Sequence, residues 1–209
     1  MASSSENPQS SPGSDASPFD DRISNLTESI ICYILSFSHT NKAVATSTLS
    51  KSWQFLWTKA NTFWLDNNGN DFEDFEETVD KVLMIQLEFE KLDNFHLYWS
   101  KDDYIDPANL SKWISEAIAR NVKVIGIIDE SPHYDDELIQ LPVSLFTSKT
   151  LKSLSLQGPF LVEVPGTIYL PKLRDLQLNY VLYCWARFPS NWANKKETKP
   201  SLIRLWFWS

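Results

Sequence analysis

Five oxygen-bearing side chains fall at the spacing of a calcium loop. Asp66, Asn68, Asn70, Asp74 and Glu77 occupy positions 1, 3, 5, 9 and 12 of such a loop, the set that would cage a hard cation. Position 6, where glycine permits the sharp turn, is Asp71, so the stretch reads as a solvated acidic turn instead. His39, His96 and His133 share no metal-ligand spacing with one another or with Cys32 and Cys184, and no metal is expected. Cys32 lies among the apolar positions of a helical pattern with no base beside it, and no serine stands in a G-x-S-x-G turn. Nucleophilic catalysis therefore lacks its parts. The 5 glycines form no phosphate loop, so no nucleotide cofactor is implied. The carboxylates of 71–80 read as the wet face of a helix, not as a catalytic pair. No catalytic residue and no cofactor follow from these residue types.

What the chain does carry is apolar periodicity. Over 21–57, Ile30, Ile34 and Phe37 line one helical face with Ile31 and Leu35 beside them, because spacings of three and four share a side. Thr27 stands at an N-cap position, followed by Glu28 at the positive end of the helix dipole. Thr40 or Asn41 would cap a second helix with Ala43, Val44, Ser47 and Thr48 inward. Trp53, Leu56 and Trp57 repeat the spacing in a third. A block of about forty residues buries too little surface to be comfortable alone. Its apolar faces call for the rest of the chain, a foreign protein, or both.

Composition narrows the classes further. The chain has 209 residues, 43% of them hydrophobic, and a net charge of −8, which disfavours nucleic acid and anionic membrane surfaces. No apolar run is long enough to span a bilayer, and the amino end lacks the pattern of a secretory signal. Two distant cysteines make no disulfide framework. The expected compartment is the cytoplasm or the nucleus. Residues 1–18 are rich in Ser and Pro and read as a disordered tail.

A repeat dominates the second half. The unit apolar-x-x-apolar-x-apolar occurs at Leu92/Phe95/Leu97, Val122/Ile125/Ile127, Leu151/Leu154/Leu156, Leu173/Leu176/Leu178 and Leu202/Leu205/Phe207, in steps of 30, 29, 22 and 29. These fall inside or near the leucine-rich-repeat range of 20–29. Each triplet is expected to form a short parallel strand, with neighbours stacked so that each covers the next. Phe72, Phe75, Val79, Val82 and Leu83 predict an amphipathic helix over 71–86. Asp106 as cap and Pro107 as first residue predict another, burying Leu110, Trp113, Ile114, Ala117 and Ile118. The segment 138–149 predicts a short helical turn ending near Phe146. The fold class expected is α/β: small helices, then a solenoid of parallel strands with helical crossovers.

The stretch 21–57 resembles the F-box as found in the large plant family of F-box proteins with leucine-rich repeats of FBD type. The likeness is carried by DRISNL at 21–26, by Ile31, Ile34 and Leu35, by LSF at 35–37, and by AVATSTLSKSWQFLW at 43–57. The phrases KWISEAIARNV at 112–122, LPVSLFTSKTLKSLSLQG at 141–158 and VPGTIYLPKLRDLQLNYV at 164–181 look like the family's repeats. The likeness fades after Val181. Where the family has Leu-Pro the chain has Leu26-Thr27, a second proline is missing near Ser38, and Ser52 replaces a basic residue. The resemblance implies an F-box over 19–60 and repeats over 61–209, in a short or truncated member of the family. It implies a non-catalytic adaptor of an SCF-type ubiquitin ligase, docked through the F-box on a Skp-type subunit and thereby on a cullin. The repeats would hold a target protein. Leu26, Ile30, Ile34, Leu35, Val44, Leu49 and Trp53 are the apolar positions expected to build or contact the docking surface.

Three other readings stand beside it. One is a leucine-rich-repeat scaffold without ligase attachment. Another is an enzyme, for which no convergent acid, base or nucleophile is found. The last is a sensor that cradles a small molecule, for which the array is short. Tryptophan is abundant, at 9. Trp113 is expected in the core, whereas LIRLWFWS at the carboxyl end calls for a cover from more chain or a partner.

Overall fold

The computed structural model describes residue 23 and residues 25–67, 75–86, 92–100, 105–131, 138–164, 168–185 and 203–206. The Ser/Pro-rich tail, His133 and most of the calcium-like turn (Asn68, Asn70, Asp71 and Asp74) lie outside them.

The helical block comes first. Helix α1 spans Glu28–Leu35 and α2 spans Thr40–Ala45. Thr27 precedes α1 with φ −69° and makes no side-chain cap bond. That angle is the one proline imposes, so threonine occupies a proline-shaped position without replacing proline's rigidity. After Ala45 this block forms no further α-helix. It makes 3-10 turns at Thr46–Thr48 and Leu56–Lys59, with plain turns between. A third α-helix through Trp53 and Trp57 does not form. The cause is local. Thr46, Thr48 and Thr58 hydroxyls each donate to the carbonyl three residues back, at 2.6, 2.9 and 2.7 Å. Ser47 donates to the carbonyl of Gln54 at 3.0 Å. Hydroxyls that occupy backbone acceptors compete with helical pairing.

The rest is built on two sheets. The larger has the order β1-β2-β3-β5-β7-β9, with β1 Thr62–Asp66, β2 Asn94–Ser100, β3 Val124–Glu130, β5 Ser153–Gln157, β7 Asp175–Asn179 and β9 Ile203–Trp206. The first five strands are parallel and in strict register. Phe63 pairs with Phe95, Phe95 with Ile125, Ile125 with Leu154, and Leu154 with Leu176. A second inward row runs Leu65, Leu97, Ile127, Leu156, Leu178 in the same way. Period-two alternation sends both rows to one face, where they form the main core.

Two features depart from the sequence reading. Strand β1 is an additional repeat, and its triplet is Ala60/Phe63/Leu65, all buried. Small Ala60 hides the pattern from a scan for large apolar residues. At the other end, β9 runs antiparallel to β7, with Leu178 opposite Ile203. The last triplet is therefore a returning strand and not a further parallel unit; Leu202 and Phe207 lie outside the described residues.

The crossovers explain the uneven steps. Helix α3, Phe75–Gln86, connects β1 to β2, and α4, Pro107–Ala119, connects β2 to β3. Asp106 caps α4 by accepting from the Ala108 amide at 2.8 Å, Pro107 opens it, and Leu110, Trp113, Ile114 and Ala117 are buried, as the sequence predicts. Beyond β3 the described residues of the crossovers hold no α-helix. A two-residue strand β4 (Ile139–Gln140) and a 3-10 turn at Val143–Thr147 lead into β5, and β6 (Phe160–Val164) leads on toward β7. With β8, Leu182–Trp185, these make a second parallel sheet, β4-β6-β8. An extended crossover needs fewer residues than a helical one. The register step is still 29 from β3 to β5 (Ile125 to Leu154), whose crossover holds both β4 and the 3-10 turn, and falls to 22 from β5 to β7 (Leu154 to Leu176), where β6 is crossed.

The carboxylates of α3 are not all wet. Asp80 accepts from the indole N–H of buried Trp113 at 2.6 Å and from Lys112 at 3.2 Å. Glu76 accepts from the Asp106 amide and from Asn109. Burying a tryptophan requires a partner for its N–H, and Asp80 supplies it.

Candidate functional site

Helix α1 is apolar on two sides. Ile31 and Leu35 point inward, into a small cluster with Ala43, Trp53, Leu56, Trp57 and Ala60. Ile30, Tyr33, Ile34 and Phe37 follow the i, i+3, i+4, i+7 pattern on the other side and are 46, 67, 47 and 67% exposed. Leu49 and Phe55, in the turns that follow, are 67 and 64% exposed. Tyr33 and Phe37 rings meet edge to face at 4.9 Å, which holds the stripe in one shape. Exposed apolar side chains at this density are what a partner covers.

The seven residues expected at the docking surface divide accordingly. Ile30, Ile34 and Leu49 face outward, whereas Leu35 and Trp53 are buried and Leu26 and Val44 pack partly against the inner cluster. Tyr33 and Phe55 were not among them, and neither was Phe37, although the same spacing that groups Ile30 with Ile34 includes Tyr33 and Phe37. Cys32 is half-buried and directs its thiol at the Leu56 carbonyl. Burial pushes the thiol's pKa up, partly offset by Lys59, which makes it a poor nucleophile.

The block is fastened to the first repeat. Strand β1 is the edge of the large sheet, and the Trp64 amide donates to Thr40 Oγ1 at 2.8 Å. Thr40 therefore serves the sheet edge and not the cap of α2, which begins without a side-chain cap bond. His39 stacks on the Trp64 indole at 4.0 Å, and its Nδ1 meets the Asp66 carboxylate. Trp64 in turn lies 5.3 Å from the ring of His96. Covering an edge strand removes a site for unwanted pairing. His96 occupies an outward strand position, as the alternation predicts, but it is not a plain surface residue. Burial, with a smaller contribution from His39, lowers its pKa. Its ring lies where a Cβ on Gly126 would stand, with His96 Nδ1 the nearest atom.

The outward face of the parallel strands is polar and ordered. Asn94 donates to Thr62 at 3.0 Å, Tyr98 to Glu130 at 2.6 Å, Gln157 to Glu130 at 3.5 Å and Asn179 to Gln157 at 3.4 Å. Across the middle row, Trp64, His96, Gly126, Ser155 and Gln177 stand side by side. Among the described residues no group of three His, Cys, Asp or Glu could hold a metal ion. Asp66 closes β1 against His39, and Glu77 pairs with Lys81. No described helix is long and apolar enough to cross a membrane.

Comparison with known proteins finds relatives of one kind. The chain is 35% identical to an FBD-associated F-box protein of Arabidopsis thaliana over 170 residues, covering 78% of this chain and 40% of that protein. It is 33% identical over 170 residues to a putative F-box/LRR-repeat protein of the same plant, covering 78% and 39%. It is 31% identical over 178 residues to an Arabidopsis F-box/FBD/LRR-repeat protein, covering 78% and 37%. The chain thus spans well under two thirds of these relatives' length. No family model and no solved structure matches it.

Proposed function

Because the chain belongs to the plant family of F-box/FBD/LRR-repeat proteins, we propose that it is a non-catalytic adaptor of an SCF-type ubiquitin ligase. In this reading the helical block docks on a Skp-type subunit, which links it to a cullin, and the repeats hold a target protein. The work is done by proximity: a target held beside a ubiquitin-charged enzyme reacts at a raised effective concentration. The protein acts in the cytoplasm or nucleus.

The observation that carries the reading is the outward stripe of α1. Ile30, Tyr33, Ile34 and Phe37 are exposed, while Ile31 and Leu35 are buried in the inner cluster with Cys32 packed against it. The fastening of the block to β1 adds support, since a target on the sheet is then held at a fixed place relative to the ligase. The polar outward face of the sheet offers directional donors and acceptors for such a target.

The test is co-purification of the full chain with a plant Skp-type subunit. Ile34→Glu is expected to weaken the complex about thirtyfold, near 2 kcal/mol, with the unfolding midpoint unchanged. Leu35→Glu is a poor substitute, because buried Leu35 belongs to the cluster and its loss unfolds the block. If the native chain fails to bind any Skp-type subunit while still folded, the adaptor reading falls and a repeat scaffold without ligase attachment takes its place.

A further inference from the structure

Charge on the repeats is sorted by end. Six lysines and arginines are described between residues 120 and 185: Arg120, Lys123, Lys149, Lys152, Lys172 and Arg174. Every one falls within four residues ahead of a parallel strand of the large sheet, so all six share its amino-terminal rim. Three are bonded neighbours along that rim. The Lys152 amide donates to the Lys123 carbonyl at 2.7 Å, and the Arg174 amide to the Lys152 carbonyl at 2.8 Å. Lys123 is answered by Asp93 at 2.8 Å. Lys149, Lys152, Lys172 and Arg174 are exposed. The carboxylates of β3, Asp129 and Glu130, stand at the opposite end of the sheet.

Like charges on adjacent strands, about 4.8 Å apart, repel one another and cost stability. A chain of net charge −8 has acid enough to intersperse, yet on this rim the described acids are only Asp93 and Asp175. The result is a local positive field on an acidic molecule. We infer that this rim is an interaction surface for an Asp/Glu-rich segment of a protein, laid across the strand ends from Lys123 to Arg174. The chemistry favours a run of carboxylates over one phosphate. The cations are mostly flexible lysines in water, and no buried guanidinium fork is present among them to grip a phosphate. A nucleic acid fits less well, because its binders carry a basic excess over the whole domain, whereas here the cations are confined to one rim of a chain of net charge −8. The inference deepens the adaptor reading and rests on it only in taking the segment to be part of a target.

The test measures fluorescence anisotropy of labelled ten-residue peptides with the full chain at low salt. A glutamate-rich peptide is expected to bind and its glutamine counterpart is not. The pair K152E/R174E is expected to weaken binding about tenfold, the sum of two exposed ion pairs. The pair K42E/K81E carries the same change in net charge away from the rim and is expected to leave binding intact. Equal binding of the glutamine peptide, or equal losses in the two variants, overturns the inference. So does tighter binding of a singly phosphorylated peptide or of a ten-base oligonucleotide than of the glutamate peptide. No Skp-type subunit enters the assay, so its failure leaves the adaptor reading standing, and failed co-purification leaves the rim standing.

Discussion

Trp113 and Phe37 are both large aromatics at helical spacing, and the molecule treats them oppositely. Trp113 on α4 is fully buried, while Phe37, just past α1, is 67% exposed. The difference lies in what stands on either side. Helix α4 has the parallel strands beneath it and α3 beside it, with Asp80 placed to satisfy its indole. Helix α1 has a small cluster beneath and no described element over its other face. A repeat finds its cover in the next repeat. The helical block touches the array through α2, through Val82 of α3 and at β1, and its far side is left for something else.

Truncation separates the two regions most sharply. Trp113→Ala is expected to cost about 3–5 kcal/mol, the usual toll for emptying a core aromatic site. Phe37→Ala is expected to fall within about 0.5 kcal/mol of the native chain, as surface changes do. Urea denaturation of both variants checks the pair. An equal cost would mean that Phe37 is packed in the free protein, and the contrast would fail. Gly126 comes next in size. Gly126→Ala drives a methyl into the His96 ring, with an expected loss of about 1–3 kcal/mol. The double variant with His96→Ala should recover much of it, because the clash and not the backbone is at fault. Without that recovery, the close approach of the two strands across this row is not what glycine secures.

How much of this was legible in the residues depends on which chemical signal was strong. The inward rows were readable because Leu, Ile and Phe recur at fixed steps, and α4 because Asp106-Pro107 announces its start. Strand β1 escaped because Ala60 is a weak apolar marker. The β4-β6-β8 sheet escaped because its strands are only 2, 5 and 4 residues long and lie inside stretches that also fit loops. The third helix was expected from the spacing of Trp53, Leu56 and Trp57; the hydroxyls of Thr46, Ser47, Thr48 and Thr58 decide otherwise. At the docking surface, spacing could say which residues share a side of α1, but not which of two apolar sides turns out. The inner cluster settles that, and it depends on contacts between residues as distant as Ile31 and Trp57. The junction was invisible for the same reason: His39, Trp64, Asp66 and His96 meet only in the folded chain.

That junction gives the smallest effect and the one that ties the two regions together. His96 is held neutral mainly by burial, and to a lesser degree by His39 across the Trp64 ring; Asp66 is the carboxylate that faces His39. A histidine whose pKa is lower folded than unfolded binds its proton first in the unfolded chain. The stability it contributes is therefore complete above the unfolded value near 6.5 and is lost as pH falls from there toward the folded value. Acidification from about pH 7.5 to 5.5 should thus lower the urea midpoint, and His96→Gln should flatten that part of the slope. His39→Gln removes the neighbouring imidazole but leaves most of the burial, so the slope should shrink without vanishing. If His39→Gln changes nothing while His96→Gln flattens the curve, the two imidazoles do not sense each other. The helical block would then be resting against the array and not electrically coupled to it.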